Sequence, residues 1–270
     1  MNQRQILVLF PRTQLEVQLN STFDQWDPKK YLRQYYAGPK VTEDEVFVLK
    51  YLIEFLAQHK EGFNEAIEVG CGPTIHHSIP LVPHINKIYF ADFVQSNLGE
   101  IRSWMESSPE AHNWGVHFEE VLALEGLKPT PELMKARAHE LRGKVADLIP
   151  CDVHSDSPIK RNSTFDLVTS FFCVDSITSS KQDYARAMGN LFSLIRPGGW
   201  MVMSALGGAK HYQVENLSFP SVQLREQELH QILSNGPFIP SSIEVSTIKV
   251  GVFANEGFGS IILARGKRAL

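Results

Sequence analysis

The stretch that decides the fold is Ala66-Ile67-Glu68-Val69-Gly70-Cys71-Gly72-Pro73-Thr74. A run of β-forming residues ends here at a Gly-x-Gly turn, which lets the backbone bend tightly and approach a ligand closely. A dinucleotide-binding turn would place a third glycine at the start of the following helix, whereas this chain continues with Pro73-Thr74-Ile75. The turn therefore indicates a strand-to-helix junction for a ligand without a pyrophosphate.

From Ala66 onward, short β-rich runs alternate with helical stretches. Strands are predicted at residues 66–69, 87–92, 145–150, 165–171 and 200–206, and such alternation indicates a parallel, doubly wound sheet. Two further runs, Ser242–Val252 and Gly259–Arg265, are joined through the turn sequence Asn255-Glu256-Gly257 and predict an antiparallel edge hairpin. The predicted fold class is α/β, with a mostly parallel seven-stranded sheet.

The N-terminal part of the chain is expected to supply a helical lid. Thr42-Glu43-Asp44-Glu45 reads as a capping box, and helical spacing follows at Val46, Leu49, Leu52, Ile53 and Leu56. We find no internal repeat or linker, so residues 1–270 are predicted to form a single domain. Residues 1–60 would be an extension with lid helices, and residues 61–270 the core.

Composition excludes several classes of partner. The chain carries 26 Lys and Arg against 30 Asp and Glu, a net charge of -4, so no basic field exists to hold nucleic acid. Cys71, Cys151 and Cys173 lack the spacing of a disulfide framework or a zinc site, and no metal is predicted.

The apolar stretch Ile6–Phe10 is too short for a signal peptide or a membrane span, so a cytoplasmic location is expected.

Acidic residues at two more strand ends complete a candidate cofactor site. Asp92 lies 22 residues after Gly70, where a carboxylate can accept the hydroxyls of a ribose. Asp152 follows the next strand, placed to meet the exocyclic amine of an adenine, and Val153 would add an apolar wall. S-adenosylmethionine has this nucleoside and no phosphate. An isolated Gly-x-Gly turn or strand-end acid is often merely structural, but their joint order favours this cofactor.

Four segments together resemble the small-molecule methyltransferase family of nicotinamide, phenylethanolamine and indolethylamine N-methyltransferases. The segments are Asp27–Tyr36, Gly70–Ile75, Cys151–Val153 and Asn255–Gly257, within a similarity over roughly residues 22–265. The tyrosine-rich first segment is specific to that family. The resemblance implies the Rossmann-like class I methyltransferase fold, a sheet that ends in an antiparallel hairpin.

The resemblance also implies which residues contact the cofactor. Tyr31 and Tyr36 would close over it, with Tyr31 also serving catalysis, because aromatic faces attract a sulfonium in a desolvated pocket. Alternatively, these tyrosines form only the packing face of a helix and do not contact a cofactor. His76 stands where the family commonly has tyrosine. The other implied cofactor contacts are Gly70, Cys71, Gly72, Thr74, Asp92, Asn97, Asp152 and Val153.

On the acceptor side, Asp175 matches an acidic substrate-binding position of the family, and its carboxylate would hold an amine acceptor and receive its proton in catalysis. The second acidic position is occupied here by Ser204, so nicotinamide and phenylethanolamine are not expected as substrates. Tyr212 and Ser221 align with pocket-lining positions and could supply replacement hydrogen bonds, as could His211. Each of these three residues is equally compatible with an ordinary position on the surface or in the core of the protein.

Three functions remain open from the sequence. The first is methylation of a small molecule, most simply at an amine nitrogen, by in-line displacement in which the enzyme supplies proximity and dehydration. The second is cyclisation of S-adenosylmethionine itself to azetidine-2-carboxylate with release of methylthioadenosine. The third is a non-catalytic cofactor-binding protein. The acceptor and the oligomeric state are not predicted.

Overall fold

The computed structural model describes residue 23, residues 25–251 and residues 258–270. The predicted turn Asn255-Glu256-Gly257 and the segment before residue 20 lie outside these residues. Seven strands form one sheet in the order β3-β2-β1-β4-β5-β9-β8. They are β1 (Phe63–Val69), β2 (Ile85–Asp92), β3 (Val145–Pro150), β4 (Phe165–Phe171), β5 (Ile195–Gly207), β8 (Glu244–Lys249) and β9 (Ser260–Lys267).

The predicted sheet is confirmed in both its parallel and its antiparallel parts. Strands β1 to β5 pair in parallel. Strand β9 runs antiparallel to β5, and β8 pairs antiparallel with β9 at the edge. The chain moves outward from β1 to β3, then returns to place β4 on the other side of β1. This reversal creates a crevice between the carboxyl ends of β1 and β4, where open α/β sheets bind ligands.

Helices cover both faces of the sheet because residues alternate along each strand. In β5, Val202 and Leu206 face one apolar cluster, whereas Met201, Met203 and Ala205 face the other. The first face is covered by α2 (Glu43–Ala57), α3 (Gln95–Met105), α4 (Gly115–Leu124) and α5 (Pro131–Lys144). The second face is covered by α6 (Lys181–Ser193) and α7 (Glu226–Ser234).

A short helix and a two-stranded hairpin form the roof over the crevice. Helix α1 (Pro28–Tyr35) begins at Asp27, whose side chain accepts hydrogen bonds from two backbone N–H groups. The hairpin consists of β6 (His211–Val214) and β7 (Leu217–Pro220), which the sequence did not reveal. Tyr35 Oη and Gln34 Nε2 both donate to the carbonyl of Gln213, at 2.5 and 3.1 Å. These bonds join the N-terminal lid to the hairpin.

One local prediction about α2 is wrong. Thr42 stands at the N-cap position, but its side chain makes no capping hydrogen bond. The carboxylate of Glu45, expected to complete the capping box, contacts the imidazoles of His76 and His77 instead. A charge-assisted contact between buried groups is stronger than a bond to an exposed backbone N–H, and it displaces the cap.

No helix within the described part of the chain is long and apolar enough to cross a membrane.

Candidate active site

A cavity of about 670 Å³ opens at the carboxyl ends of β1 to β4, beneath α1 and the β6–β7 hairpin. Most of the site residues expected from the sequence lie in its wall. These are Tyr31, Tyr36, Gly70, Cys71, Gly72, Thr74, Asp92, Asn97, Asp152, Val153 and Tyr212. The geometry therefore brings together residues that are more than 180 positions apart in the chain.

The glycine turn is tied to the end of β2 by Asp92. Asp92 Oδ2 accepts a hydrogen bond from Gly72 N at 2.8 Å. Its Oδ1 accepts from Val94 N at 2.8 Å and from Asn97 Nδ2 at 3.0 Å. Burial raises the pKa of Asp92, and the three hydrogen bonds counteract that effect. Because a carboxylate offers about four acceptor sites, it retains capacity for a ribose hydroxyl.

The backbone of Gly70 adopts a conformation that only glycine takes without strain. Its φ is +68°, and its N–H donates to the carbonyl of Ala91 at 2.7 Å. A Cβ at this position would lie 2.0 Å from Cys173 Sγ, in the loop after β4. Gly70 therefore allows the ends of β1 and β4 to approach one another and form the floor of the cavity.

Aromatic rings enclose the cavity from the lid side. Tyr31 packs against Trp26 with ring centroids 5.0 Å apart and against Tyr36 at 5.6 Å. The hydroxyls of Tyr31 and Tyr36 lie 3.3 Å apart. Burial raises the pKa of Tyr31 to about 12, so both hydroxyls stay neutral at physiological pH. The box they form is suited to a bound cation through its ring faces.

Four expected contacts lie elsewhere. His76, Asp175, Ser204 and Ser221 are buried but lie outside the cavity wall. Asp175 Oδ2 accepts from Leu206 N at 2.9 Å, and its Oδ1 has no hydrogen-bond partner among the described residues. Its neighbours Cys173 and Ser176 do reach the wall. Burial raises the pKa of Asp175 to about 6, although its hydrogen bonds favour the ionised form.

A buried acid–imidazole cluster joins the start of α2 to the segment after the glycine turn. Nε2 of His76 and Nε2 of His77 lie 2.8 and 2.6 Å from the same oxygen, Glu45 Oε1. On its other side, His77 Nδ1 lies 3.6 Å from Glu68 Oε1. Glu68 Oε2 accepts a hydrogen bond from Ser78 Oγ at 2.5 Å. Sequence reasoning considered only His76, although His77, Glu45 and Glu68 are the members that line the cavity.

Charge in this cluster is concentrated on one imidazole. Burial alone would lower the pKa of His77, but Glu45 and Glu68 raise it to about 9. Burial and the neighbouring His77 lower the pKa of His76. Burial would raise the pKa of Glu45, yet the two histidines hold it well below its usual range. At neutral pH the cluster therefore contains a His77 imidazolium paired with ionised Glu45.

The three side chains Glu45, His76 and His77 also have the donor atoms of a metal site, within 4.8 Å of one another. Zinc bound at its usual distances of about 2.0–2.1 Å would separate tetrahedral ligand atoms by about 3.3 Å. The observed separations of 2.6 and 2.8 Å are shorter than this and correspond to imidazole nitrogens in direct contact with a carboxylate oxygen. The geometry favours the proton-bearing cluster over a metal centre.

The cysteines at the site are not activated nucleophiles. Burial raises the pKa of Cys71 and Cys173 well above the usual value and that of Cys151 to about 12. A cysteine attacks as its thiolate, which burial in apolar surroundings disfavours. The three thiols therefore shape the cavity without supplying covalent chemistry.

Sequence comparisons find proteins that are similar to this chain over most of its length. The model of the NNMT/PNMT/TEMT family matches residues 14–265. Phenylethanolamine N-methyltransferase of Bos taurus is 27% identical over 80% of this chain and 78% of its own length. Nicotinamide N-methyltransferase of Homo sapiens is 27% identical over 91% of this chain and 95% of its own.

A solved structure confirms the fold class. Magnesium protoporphyrin IX methyltransferase from Synechocystis PCC 6803, determined with bound SAM, superposes with a TM-score of 0.56 at 15% identity. The match covers 97% of this chain and 100% of that one. The predicted Rossmann-like class I fold is thus confirmed.

The glycine turn gives a matched pair of variants. We expect Gly70→Ala to destabilise the protein strongly, because the new methyl group would collide with Cys173 and strain a left-handed backbone. Gly72→Ala is the control: its φ is +58°, but nothing lies within 4 Å of the added Cβ, so only backbone strain of order 1–3 kcal/mol is expected. Chemical denaturation measures both. Equal losses would contradict the close approach of β1 and β4.

The His77 cluster predicts a pH-dependent contribution to stability. The folded pKa of His77, about 9, exceeds its unfolded value of 6.5. Its stabilisation is therefore present in full below pH 6.5, down to the range where Glu45 becomes protonated. It is lost as the pH rises from 6.5 through 9.

The measurement is the difference in free energy of unfolding between wild type and His77→Gln across this range. We expect the wild-type advantage to decline between pH 6.5 and 9. The exposed His139 on α5 supplies the comparison variant His139→Gln, which removes a histidine outside the buried cluster. A flat profile for His77→Gln would show that His77 carries no extra proton in the folded state.

Proposed function

The chain belongs to the NNMT/PNMT/TEMT family, and we propose that it transfers the methyl group of S-adenosylmethionine to an amine nitrogen of a small molecule. The observation that carries the proposal is the order of polar groups along the cavity. Asp152 follows β3, Asp92 ends β2 and the Gly70 turn follows β1, in the spatial order of these strands. Adenine, ribose and the methionine part of the cofactor need this same succession of partners.

The composition of the wall supports this cofactor over a phosphate-bearing one. Among the described residues that line the cavity, none is lysine or arginine, so no such cation is placed to neutralise a pyrophosphate. The aromatic box of Trp26, Tyr31 and Tyr36 instead suits a positively charged sulfur. When bound, the sulfonium supplies an activated methyl group with a neutral leaving group.

Proximity and dehydration are the main contributions of the protein to such a transfer. The cavity is roofed by α1 and the β6–β7 hairpin, which place aromatic rings over it, and such a cover reduces the access of water to a bound substrate. An amine acceptor must arrive neutral, and a carboxylate can receive its proton. Asp175 is the proposed acceptor-side group, because its buried Oδ1 is without a partner among the described residues and its pKa lies near 6.

A second candidate function is favoured by where the acids lie. The acceptor-side position Ser204 carries no carboxylate, and Asp175 lies outside the wall, whereas Asp44, Glu45 and Glu68 face the cavity beside the Gly70 turn. Groups there could accept the proton of the methionine α-amine. That amine could then attack the γ-carbon and form a carbon–nitrogen bond as the carbon–sulfur bond breaks. The products would be azetidine-2-carboxylate and methylthioadenosine.

Product analysis separates the candidates. The pure protein is incubated with S-adenosylmethionine alone and then with a pool of small amines and thiols, and the nucleoside product is identified by mass spectrometry. We expect S-adenosylhomocysteine that appears only with an acceptor. Methylthioadenosine without an acceptor would replace the methyltransferase proposal with cyclisation. Tight cofactor binding with neither product would indicate a non-catalytic binding protein.

Asp175 can be tested separately. We expect Asp175→Asn to lower turnover while cofactor affinity changes little, because Asp175 follows β4, on the other side of β1 from the proposed nucleoside contacts after β2 and β3. Wild-type turnover should fall as the pH drops through about 6, since protonation removes the base, and the variant should lack this limb. Asp156→Asn, at an exposed aspartate, is the control. Unchanged turnover of Asp175→Asn would remove this residue from the mechanism.

A further inference from the structure

A layer of imidazole rings lies directly behind the lid residue Tyr36. Tyr36 stands at the C-terminal end of α1 and lines the cavity. The centroid of its ring lies 4.8 Å from that of His76 and 5.8 Å from that of His117, and its backbone is hydrogen-bonded to the imidazole of His112. These three histidines lie outside the cavity wall, so Tyr36 separates them from the cavity.

We propose that these three histidines form an acid-sensitive latch, which holds the lid closed while the imidazoles are neutral and releases it when they take up protons. We call His76, His112 and His117 the imidazole latch. The other side of α1 is held to the β6–β7 hairpin by hydrogen bonds from Gln34 and Tyr35. The latch therefore acts on the C-terminal end of the helix.

The geometry of the closed lid disfavours protonation of the latch. Each of its imidazoles has a buried ring nitrogen that lacks a hydrogen-bond partner among the described residues, namely His76 Nδ1, His112 Nε2 and His117 Nδ1. A proton added to one of these atoms finds no acceptor while Tyr36 covers the rings. Burial of such an unpaired charge costs free energy, so the closed lid requires neutral imidazoles.

The surroundings of the latch act in the same direction. Burial lowers the pKa of all three imidazoles, that of His117 to about 3. The imidazolium of His77 lies 3.9 Å from the ring of His76, between centroids, and repels a second positive charge. His117 stands in the first turn of α4, where the helix dipole also opposes a cation. The titratable groups that face the latch are Tyr36 on α1, Glu45 on α2, Glu68 on β1 and His77 after the glycine turn.

Opening of the lid would remove this restriction, because displacement of Tyr36 connects the imidazoles with the cavity and its solvent. A hydrated imidazole has a pKa of 6.5, above that of the closed state, so the open lid binds more protons and acid favours opening. Each histidine that becomes hydrated raises the ratio of open to closed lids about tenfold between pH 7.5 and 5.5. His77 stays protonated throughout this range, since its pKa is about 9.

Hydrogen–deuterium exchange of the unliganded protein measures lid opening. The protection factors of the α1 amides are compared at about pH 7.5 and 5.5 after correction for the intrinsic exchange rate at each pH. Helix α6, on the opposite face of the sheet, is the internal reference. We expect the protection of α1 to fall at least about tenfold while that of α6 changes little. An unchanged α1, or an equal loss in both helices, would overturn the latch.

Two variants test whether the histidines cause this fall. His117→Phe keeps an aromatic ring at a buried position, and His112→Gln keeps a side-chain N–H donor, but neither new side chain takes up a proton. We expect each variant to reduce the fall in α1 protection, and the double variant to reduce it further. His139→Gln, at an exposed residue of α5, should retain the full wild-type fall. Melting temperatures identify folded variants, and a wild-type fall in any folded latch variant would remove that histidine from the latch.

Ligand release provides a second measurement, which rests on the proposed cofactor. If bound S-adenosylhomocysteine leaves only through the open lid, its dissociation rate should rise from about pH 7.5 to 5.5 by the same factor as α1 opening. An unchanged dissociation rate beside a fall in α1 protection would overturn a role of the latch in ligand exchange. Failure to bind S-adenosylhomocysteine at either pH would instead overturn the proposed function, and exchange in the unliganded protein would still decide the latch.

Discussion

The buried carboxylate of Asp92 is the constraint on which the site depends. Removing an ionised group from water is costly unless hydrogen bonds replace its hydration, and here Gly72 N, Val94 N and Asn97 Nδ2 provide them. Asn97 Oδ1 in turn accepts from Trp26 Nε1 at 2.7 Å. One acidic side chain thus couples the glycine turn, the start of α3 and the aromatic lid. These three segments form one end of the cavity because their polar groups are all linked, directly or through Asn97, to the carboxylate of Asp92.

Much of the sheet could be predicted because its determinants are local. Each strand and crossover is indicated by residues close to it in sequence, namely alternating apolar residues, turn sequences and the glycine at position 70. The β6–β7 hairpin was not predictable in this way, because each strand has only four residues and its position depends on contacts with α1. Bonds from Tyr35 and Gln34 to the Gln213 carbonyl come from partners about 180 positions away in sequence.

The site shows the same division between local and long-range information. The position of Asp92 and Asp152 at the cavity could be predicted because both residues lie at strand ends that the sequence pattern indicates. Glu45 was misread, since its sequence neighbours indicate a helix cap and only the folded chain brings it to His76 and His77. The adjacent pair His76-His77 was a usable signal: two histidines directly after a ligand-binding turn must both be accommodated near the cavity. For Asp175, sequence position gave the right neighbourhood but not the orientation of its carboxylate toward Leu206 N.

The distribution of acids around the cavity bears on which nitrogen reacts. The methyltransferase proposal assigns the proton of an external amine to Asp175, whose carboxylate accepts a hydrogen bond from Leu206 N and lies outside the cavity wall. Three of the carboxylates that line the cavity, those of Asp44, Glu45 and Glu68, lie beside the Gly70 turn and the start of α2. In the cyclisation candidate, the α-amine of S-adenosylmethionine becomes a nucleophile only after a neighbouring group takes its proton. Burial raises the pKa of Asp44, which makes this carboxylate a better proton acceptor than an exposed aspartate. Whether this α-amine stays a spectator or reacts therefore depends on how readily these acids exchange a proton with it, and this property, rather than the shared fold, separates the two candidate reactions.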